Sequence, residues 1–181
     1  MYGETTVPRT APTLPVTAAM LGAKEISKVV AALCDTTRDP ARLTTKSFAL
    51  FAPSGAGKTA VAASVLVQLR MRLPWITTLH APWTTAQWLS QLMPDAVCDH
   101  TGENVVLHLT RRRLLVIDGL GEEGDKRRER VQQITKTVLD HGRPMIITSR
   151  LPLDGPESLA KHYPHIRAAL ESRFVYLEAP R

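Results

Sequence analysis

A short run of small residues followed by lysine and threonine could hold a phosphate group. Residues 52–59 read Ala-Pro-Ser-Gly-Ala-Gly-Lys-Thr, close to the phosphate-loop pattern Gly-x-x-x-x-Gly-Lys-[Ser/Thr]. Inward-pointing backbone N–H groups of such a loop hold phosphate oxygens, and the following helix adds its positive N-terminal end. Lys58 would reach the β- and γ-phosphates, and the Thr59 hydroxyl would ligate Mg²⁺. The run therefore predicts an ATP and Mg²⁺ site with these phosphate-binding residues: Ser54, Gly55, Ala56, Gly57, Lys58 and Thr59.

The first position of this loop is Ala52 rather than glycine. Glycine is favoured where the backbone needs a positive φ, so alanine predicts that the chain enters the loop with an ordinary φ. The change leaves Lys58 and Thr59, which carry the chemistry, in place.

A second part of a nucleotide site is indicated by an apolar run, residues 113–118, that ends in Asp118. In phosphate-loop ATPases an aspartate at this place holds Mg²⁺. The next residue is Gly119, where many such ATPases carry an acidic residue that orients the attacking water. Two alternatives follow. Either Glu122 or Glu123 reaches in from the next loop, or hydrolysis is slow and ATP acts mainly as an assembly switch.

Two further positions fit a nucleotide site and also have ordinary structural interpretations. The strand predicted at 144–148 ends in Thr148, followed by Ser149. A hydroxyl there would sense the γ-phosphate, although hydroxylic strand ends are also common in plain turns. Arg173 ends a helix before the last strand. It would stabilise transition-state charge on a neighbouring subunit's ATP, or act as a cation at a helix C-terminus, and spacing alone favours the second interpretation.

Alternating strands and helices must position these residues. Hydrophobic patterns predict strands at 47–52, 75–80, 113–118, 144–148 and 174–178. They predict helices near 21–34, 58–71, 84–93, 102–111, 126–140 and 157–171. This alternation predicts an α/β fold, a five-stranded parallel sheet flanked by helices. Residues 1–20 are rich in Thr, Pro and Ala, a composition that predicts a disordered tail. Residues 21–181 are predicted to form a single domain.

Composition narrows the class of protein. The chain has 181 residues, of which 44% are hydrophobic and 22% charged, as expected of one soluble domain. No apolar run approaches the roughly 18 residues of a membrane helix, and the N-terminus lacks a signal-peptide layout. The two cysteines, Cys34 and Cys98, lie far apart, so we expect a reduced, cytoplasmic protein without a membrane partner. A net charge of +6 allows an anionic partner such as nucleic acid.

Four blocks together resemble one family, the DnaC/IstB-like AAA+ ATPases, which include helicase loaders and the ATPase subunits of some transposons. The blocks are residues 54–59, 114–122, 146–153 and 168–174. The resemblance covers residues 45–181 and implies a phosphate-loop NTPase with an AAA+ core and a minimal or absent C-terminal lid. It also implies ATP bound between subunits, Arg173 as an arginine finger acting in trans, and a ring or spiral of copies whose channel holds DNA.

The chain departs from this family's pattern at three places. Gly119 replaces the usual second acidic residue, and Arg150 stands where the family usually has a sensor asparagine. The region before the phosphate loop is also shorter than the family's N-terminal partner-binding domain. Docking onto a replicative helicase or a transposase would then fall to residues 1–35, or be absent.

DNA contacts are expected in the loops after the second and third strands, which face the channel in this architecture. Lys126, Arg127 and Arg128 would contact phosphates without reading sequence, and Trp83 would stack on a base of single-stranded DNA. The ordinary alternatives are a core tryptophan and a solvated helix face at 126–130.

The leading interpretation is an ATP-hydrolysing AAA+ ATPase that assembles on DNA. It would act as a replicative helicase loader or as an accessory ATPase of phage or transposon replication and transposition. One alternative is a small phosphate-loop kinase, although residues 80–86 carry no carboxylate for an acceptor site. The other alternative is a nucleotide-gated scaffold with little hydrolysis, which Gly119 favours.

Overall fold

The part of the chain that the structure describes forms a sheet of five strands. The computed structural model describes residues 26, 27, 30, 31, 46–77, 81–99, 101–170 and 174–176. The strands are β1 (Phe48–Phe51), β2 (Trp83–Thr85), β3 (Leu115–Leu120), β4 (Met145–Ser149) and β5 (Phe174–Tyr176). Among the described residues, the helices with continuous bounds are α1 (Lys58–Arg72), α2 (Ala86–Gln91), α3 (Val105–Thr110), α4 (Asp125–Asp140), α5 (Leu159–His162) and α6 (Pro164–Leu170). Residues 26, 27, 30 and 31 are helical as well, within the helix predicted near 21–34. The predicted tail, residues 1–20, lies outside the described residues, as does Arg173.

Strand order decides which residues meet. The order across the sheet is β2-β3-β4-β1-β5, and every neighbouring pair is parallel. All five strands therefore end at the same edge, where open α/β sheets bind ligands. Because β4 lies between β1 and β3, its end stands between the phosphate loop that follows β1 and the aspartate on β3.

An apolar layer covers each face of the sheet. Side chains alternate along a strand, and in β1 Phe48 and Leu50 face one layer while Ala49 and Phe51 face the other. The first layer is completed by α1, the second by α2 to α6. Strands buried on both faces are expected in a parallel sheet between helices. None of the helices within the described ranges is long and apolar enough to cross a membrane.

The α/β class and the five-stranded parallel sheet are confirmed, and four strands lie where the hydrophobic pattern predicts them. The second described strand, β2, begins at Trp83 rather than at 75 as predicted, and residues 78–80 of the predicted range lie outside the described residues. Within the described part of that range, Ile76 donates its N–H to the carbonyl of Leu73 at 2.9 Å in a turn that follows α1. Ile76 is buried, at 1% exposure, and an apolar β-branched residue in a buried turn gives the same local signal as a strand.

The helix predicted at 157–171 is also wrong in extent, because it is divided into α5 and α6. Tyr163, between them, has φ −137° and ψ 63°, and Pro164 begins α6. Proline has no N–H to donate and disfavours the helical conformation in the residue before it. The division turns the Tyr163 side chain into the core, where it is fully buried.

Replacing a buried leucine of α1 tests the packing of this helix on the sheet. Leu66 is 0% exposed, so Leu66→Ala is expected to lower the free energy of unfolding by about 2–5 kcal/mol. Met71, on the same helix, is 77% exposed, so Met71→Ala is expected to change it by at most about 0.5 kcal/mol. Urea denaturation of both variants without nucleotide measures the difference. Equal losses would contradict the placement of the two residues.

Candidate nucleotide-binding site

The loop between β1 and α1 has the backbone of a phosphate-binding loop. Gly55 and Gly57 have φ values of +79° and +83°, a region that other residues rarely adopt. An added Cβ at either position would meet nothing within 4 Å, so the backbone conformation rather than crowding requires glycine. Gly57 immediately precedes α1, which directs the helix's unpaired N–H groups toward the loop.

Lys58 is the first residue of α1 and folds back over the loop. Its residue exposure is 8%, and its Nζ donates a hydrogen bond to the carbonyl of Pro53 at 2.9 Å. A buried ammonium group is costly unless it is paired with a negative charge. The loop therefore carries a cation placed to receive an anion.

Asp118 joins three elements at the carboxyl edge of the sheet. Thr59 Oγ1, on α1, donates to Asp118 Oδ2 at 2.9 Å, and Thr148 Oγ1, at the end of β4, donates to Asp118 Oδ1 at 2.5 Å. Thr148 Oγ1 also accepts a hydrogen bond from the Gly119 N–H at 2.9 Å. The structure therefore brings together three residues that the sequence places far apart.

The side chains of Thr59 and Asp118 fit Mg²⁺. A hydroxyl and a carboxylate are the hard oxygen donors that this ion prefers, and the two already lie within hydrogen-bond distance of each other. A magnesium ion held there would neutralise charge on the phosphates of a nucleotide bound beside Lys58.

These residues line one cavity of about 460 Å³, a volume within the range of small-molecule sites. Its walls come from the phosphate loop, α1, the β2–α2 junction, the end of β3 and the end of β4. The lining residues are Ser54, Gly55, Gly57, Lys58, Thr59, Ala60, Thr85, Gln87, Asp118, Gly119, Glu122 and Thr148. Ala56 is not among them, and its N–H donates to the carbonyl of Pro53 at 3.3 Å.

Thr85 and Gln87 are lining residues that the sequence analysis missed. Thr85 ends β2 and caps α2, since its hydroxyl accepts a hydrogen bond from the Trp88 N–H at 3.1 Å. A threonine whose side chain caps a helix three residues on is a recognisable start signal. Recognising Thr85 as a helix cap would have predicted that the second strand ends there. Gln87 would then be expected at the sheet edge where ligands bind.

The two glutamates that follow Asp118 lie in different surroundings. Glu122 is exposed and lines the cavity. Glu123 is buried, and its carboxylate accepts hydrogen bonds from the Gly121 N–H at 2.7 Å and from the Tyr163 hydroxyl. Burial, and then the bond to Glu123, raises the pKa of Tyr163, so this phenol stays protonated as the donor. Of the two predicted candidates, only Glu122 reaches the site.

The residues predicted to contact DNA also differ in their surroundings. Trp83 is 5% exposed within the core layer under α1. Trp83 is buried because it begins β2 and so belongs to the sheet. A ring buried in this way presents no face to a base, in contrast to the stacking role predicted for it. Arg128 is held by Asp125 at 2.6 Å and by Glu123 at 3.4 Å. Lys126 and Arg127 are exposed on the first turn of α4.

No protein-family model and no curated protein sequence matches the chain. Its fold, however, is similar to solved structures. The crystal structure of DnaI matches with a TM-score of 0.59 and 15% identity, over 97% of this chain and 92% of that one. The crystal structure of the DnaC helicase loader matches with a TM-score of 0.54 and 17% identity, over 96% of this chain and 97% of that one. The replication initiator DnaA bound to AMPPCP and single-stranded DNA matches with a TM-score of 0.58 and 13% identity, over 99% of this chain and 51% of DnaA.

The chain thus spans nearly the whole of the DnaI and DnaC structures and about half of DnaA. Identities this low establish a shared fold and leave activity open. The α/β phosphate-loop fold that the resemblance implies is confirmed: this chain has the fold of the solved DnaI and DnaC structures.

Proposed function

We propose that this protein is an ATP-binding AAA+ ATPase that assembles with further copies of itself on DNA. Its role would be that of a replicative helicase loader or of an accessory ATPase in phage or transposon replication and transposition. The observation that carries the proposal is the convergence of Lys58, Thr59, Asp118 and Thr148 on one cavity at the carboxyl edge of the sheet. The similar folds of DnaC, a helicase loader, and of DnaA bound to AMPPCP and single-stranded DNA support it.

The cavity residues and Arg173 have distinct tasks in this proposal. The loop N–H groups and Lys58 bind the β- and γ-phosphates, and Thr59 with Asp118 holds Mg²⁺. Thr148 fixes the orientation of the Asp118 carboxylate through its 2.5 Å hydrogen bond and meets the γ-phosphate. Arg173 of one subunit stabilises transition-state charge on the ATP of the next.

DNA is proposed to contact the first turn of α4. Lys126 and Arg127 are exposed there, and the turn follows Asp118 by only a few residues along the chain. Two exposed cations on one turn suit phosphate contacts, which position a nucleic acid without reading its sequence. Arg128 instead maintains the fold of this turn, because Asp125 and Glu123 already hold its guanidinium.

Removing the loop lysine tests nucleotide binding. A hydrogen bond to a charged group contributes about 1.5–3 kcal/mol, so Lys58→Ala is expected to weaken ATP binding by about 10- to 100-fold. Isothermal titration with ATP and Mg²⁺ measures the dissociation constant. Lys136→Ala serves as the control, because Lys136 is exposed on α4 and does not line the cavity. Unchanged affinity in Lys58→Ala would remove the loop from the proposed site.

Solution mass tests assembly. The wild-type protein is expected to grow from a monomer to a ring or filament only with ATP and Mg²⁺, and more strongly when single-stranded DNA is added. Arg173→Ala is expected to bind ATP nearly as well as wild type while assembly or turnover falls, because its task lies in the neighbouring site. Light scattering under the four combinations of nucleotide and DNA measures this. A wild-type monomer under all four, or normal assembly and turnover of the variant, would contradict the proposal.

Salt dependence tests the DNA contact. When log K for single-stranded nucleic acid is plotted against the logarithm of the salt concentration, the slope is about −0.7 for each phosphate neutralised. Lys126→Ala combined with Arg127→Ala is therefore expected to make the slope shallower by about 1.4, with Arg128 left in place to preserve the turn. Fluorescence anisotropy of a labelled oligonucleotide between low and physiological salt measures the slope. A slope equal to that of Lys136→Ala would exclude the two residues as contacts.

A further inference from the structure

We propose that Glu122 is the catalytic carboxylate of ATP hydrolysis, in place of the acidic residue absent at position 119. This inference rests on the proposed function, since it requires ATP in the cavity that Glu122 lines. Its evidence is independent of the phosphate loop, because it comes from the backbone between Ile117 and Gly124 and from the space around Gly119.

The first observation is a bulge in β3. The pairing of β3 with β4 is regular up to Ile117 opposite Ile147, and it resumes with Leu120 opposite Ser149. One extra residue in β3 lies between these pairs, and such an insertion bends a strand and re-aims its side chains. Gly119 lies in the bulge with φ +74°, which only glycine adopts readily.

The second observation is a turn that folds the chain back over the bulge. The Glu122 N–H donates to the carbonyl of Gly119 at 3.0 Å, which closes a four-residue turn from 119 to 122. The Glu122 side chain therefore lies at the end of β3 and lines the cavity together with Lys58, Asp118 and Thr148.

The third observation is that residue 119 and the Glu122 carboxylate compete for the same space. A Cβ built on Gly119 would lie 2.9 Å from Glu122 Oε2 and 3.2 Å from Glu122 Cδ. A carboxylate attached at 119 would begin at that Cβ. The Glu122 carboxylate thus occupies space that a side chain at 119 would use, in the cavity that Asp118 also lines, and in this proposal the acidic group is moved three residues along the chain rather than lost.

The neighbouring glutamate shows that this placement is specific. Glu123 is bound by the Gly121 N–H, by Tyr163 and by Arg128, so the segment after the turn is fixed. Within the described ranges, the Glu122 carboxylate has no hydrogen bond or ion pair. It is therefore available to a water molecule in the cavity.

The reaction follows from this position. The water oxygen bonds to the γ-phosphorus as the bond from that phosphorus to the β–γ bridging oxygen breaks, and ADP leaves with the bridging oxygen. Glu122 orients the water and takes one of its protons, which then passes to the released phosphate. A carboxylate so placed equips the site for turnover, so Gly119 alone does not indicate a scaffold without hydrolysis.

The test removes the charge and keeps the shape. Glu122→Gln is expected to lower single-turnover ATP hydrolysis at least about 100-fold, the range for loss of a general base, while ATP affinity changes by less than about threefold. A second readout is the nucleotide that remains bound: after incubation with ATP and Mg²⁺ and rapid separation, the variant retains ATP where wild type holds ADP. Glu129→Gln, on the exposed face of α4, is the control and should match wild type in both.

Gly119→Ala is a second variant that leaves Glu122 intact. Its methyl group would press on the Glu122 carboxylate at a position whose φ of +74° also strains any side chain, so turnover should fall while ATP affinity persists, and thermal melting with and without ATP verifies that the variant folds. Hydrolysis at the wild-type rate by Glu122→Gln overturns this inference and leaves the proposed function standing. Wild-type protein that binds ATP without hydrolysing it also overturns the inference and supports the scaffold. Wild-type protein that binds no ATP overturns both.

Discussion

The contact on which the site depends is the pair of hydrogen bonds that Asp118 accepts from Thr59 and Thr148. Hydrogen bonds to a charged group each contribute about 1.5–3 kcal/mol, and these two join α1, β3 and β4. The Thr148 bond forms because β4 lies next to β3, between it and β1, so that the end of β4 lies between the ends of these two strands. The apolar layers on both faces keep the three strand ends in register.

The phosphate loop is closed by its own lysine. Lys58 Nζ bonds to the Pro53 carbonyl, and its cation lies in the same cavity as the carboxylates of Asp118 and Glu122. A nucleotide must replace the bond to Pro53, which is a contact with a neutral acceptor. Phosphate oxygens carry negative charge, so they attract the Lys58 ammonium more strongly than the neutral Pro53 carbonyl does. The exchange would therefore favour the ligand, and a divalent cation would offset the repulsion between the two carboxylates and a triphosphate.

The sequence predicted those site residues whose positions are tied to strand ends. Lys58 and Asp118 follow directly from a motif after one strand and an acid at the end of another, and Thr148 follows from the end of a third. Glu122 and Glu123 were indistinguishable, because their separation depends on one extra residue in β3 and on Tyr163, which lies 40 positions from Glu123 along the chain. The same limit applies to Trp83, because an aromatic residue near a sheet edge is exposed or buried according to where the strand begins. The apolar pattern at 75–80 predicted that strand too early in the chain.

Arg128 and Glu123 connect the candidate nucleotide site to the basic first turn of α4. Glu123 immediately follows the turn that carries Glu122, and it holds the backbone of Gly121, the hydroxyl of Tyr163 and the guanidinium of Arg128. Burying a carboxylate is costly unless it is paired and hydrogen-bonded, and these three contacts supply that pairing. They hold the segment between the proposed catalytic carboxylate and the exposed Lys126 and Arg127. This anchoring accounts for the difference among the three cations at 126–128. Arg128 is ion-paired and holds the turn in place, whereas Lys126 and Arg127 are exposed on it.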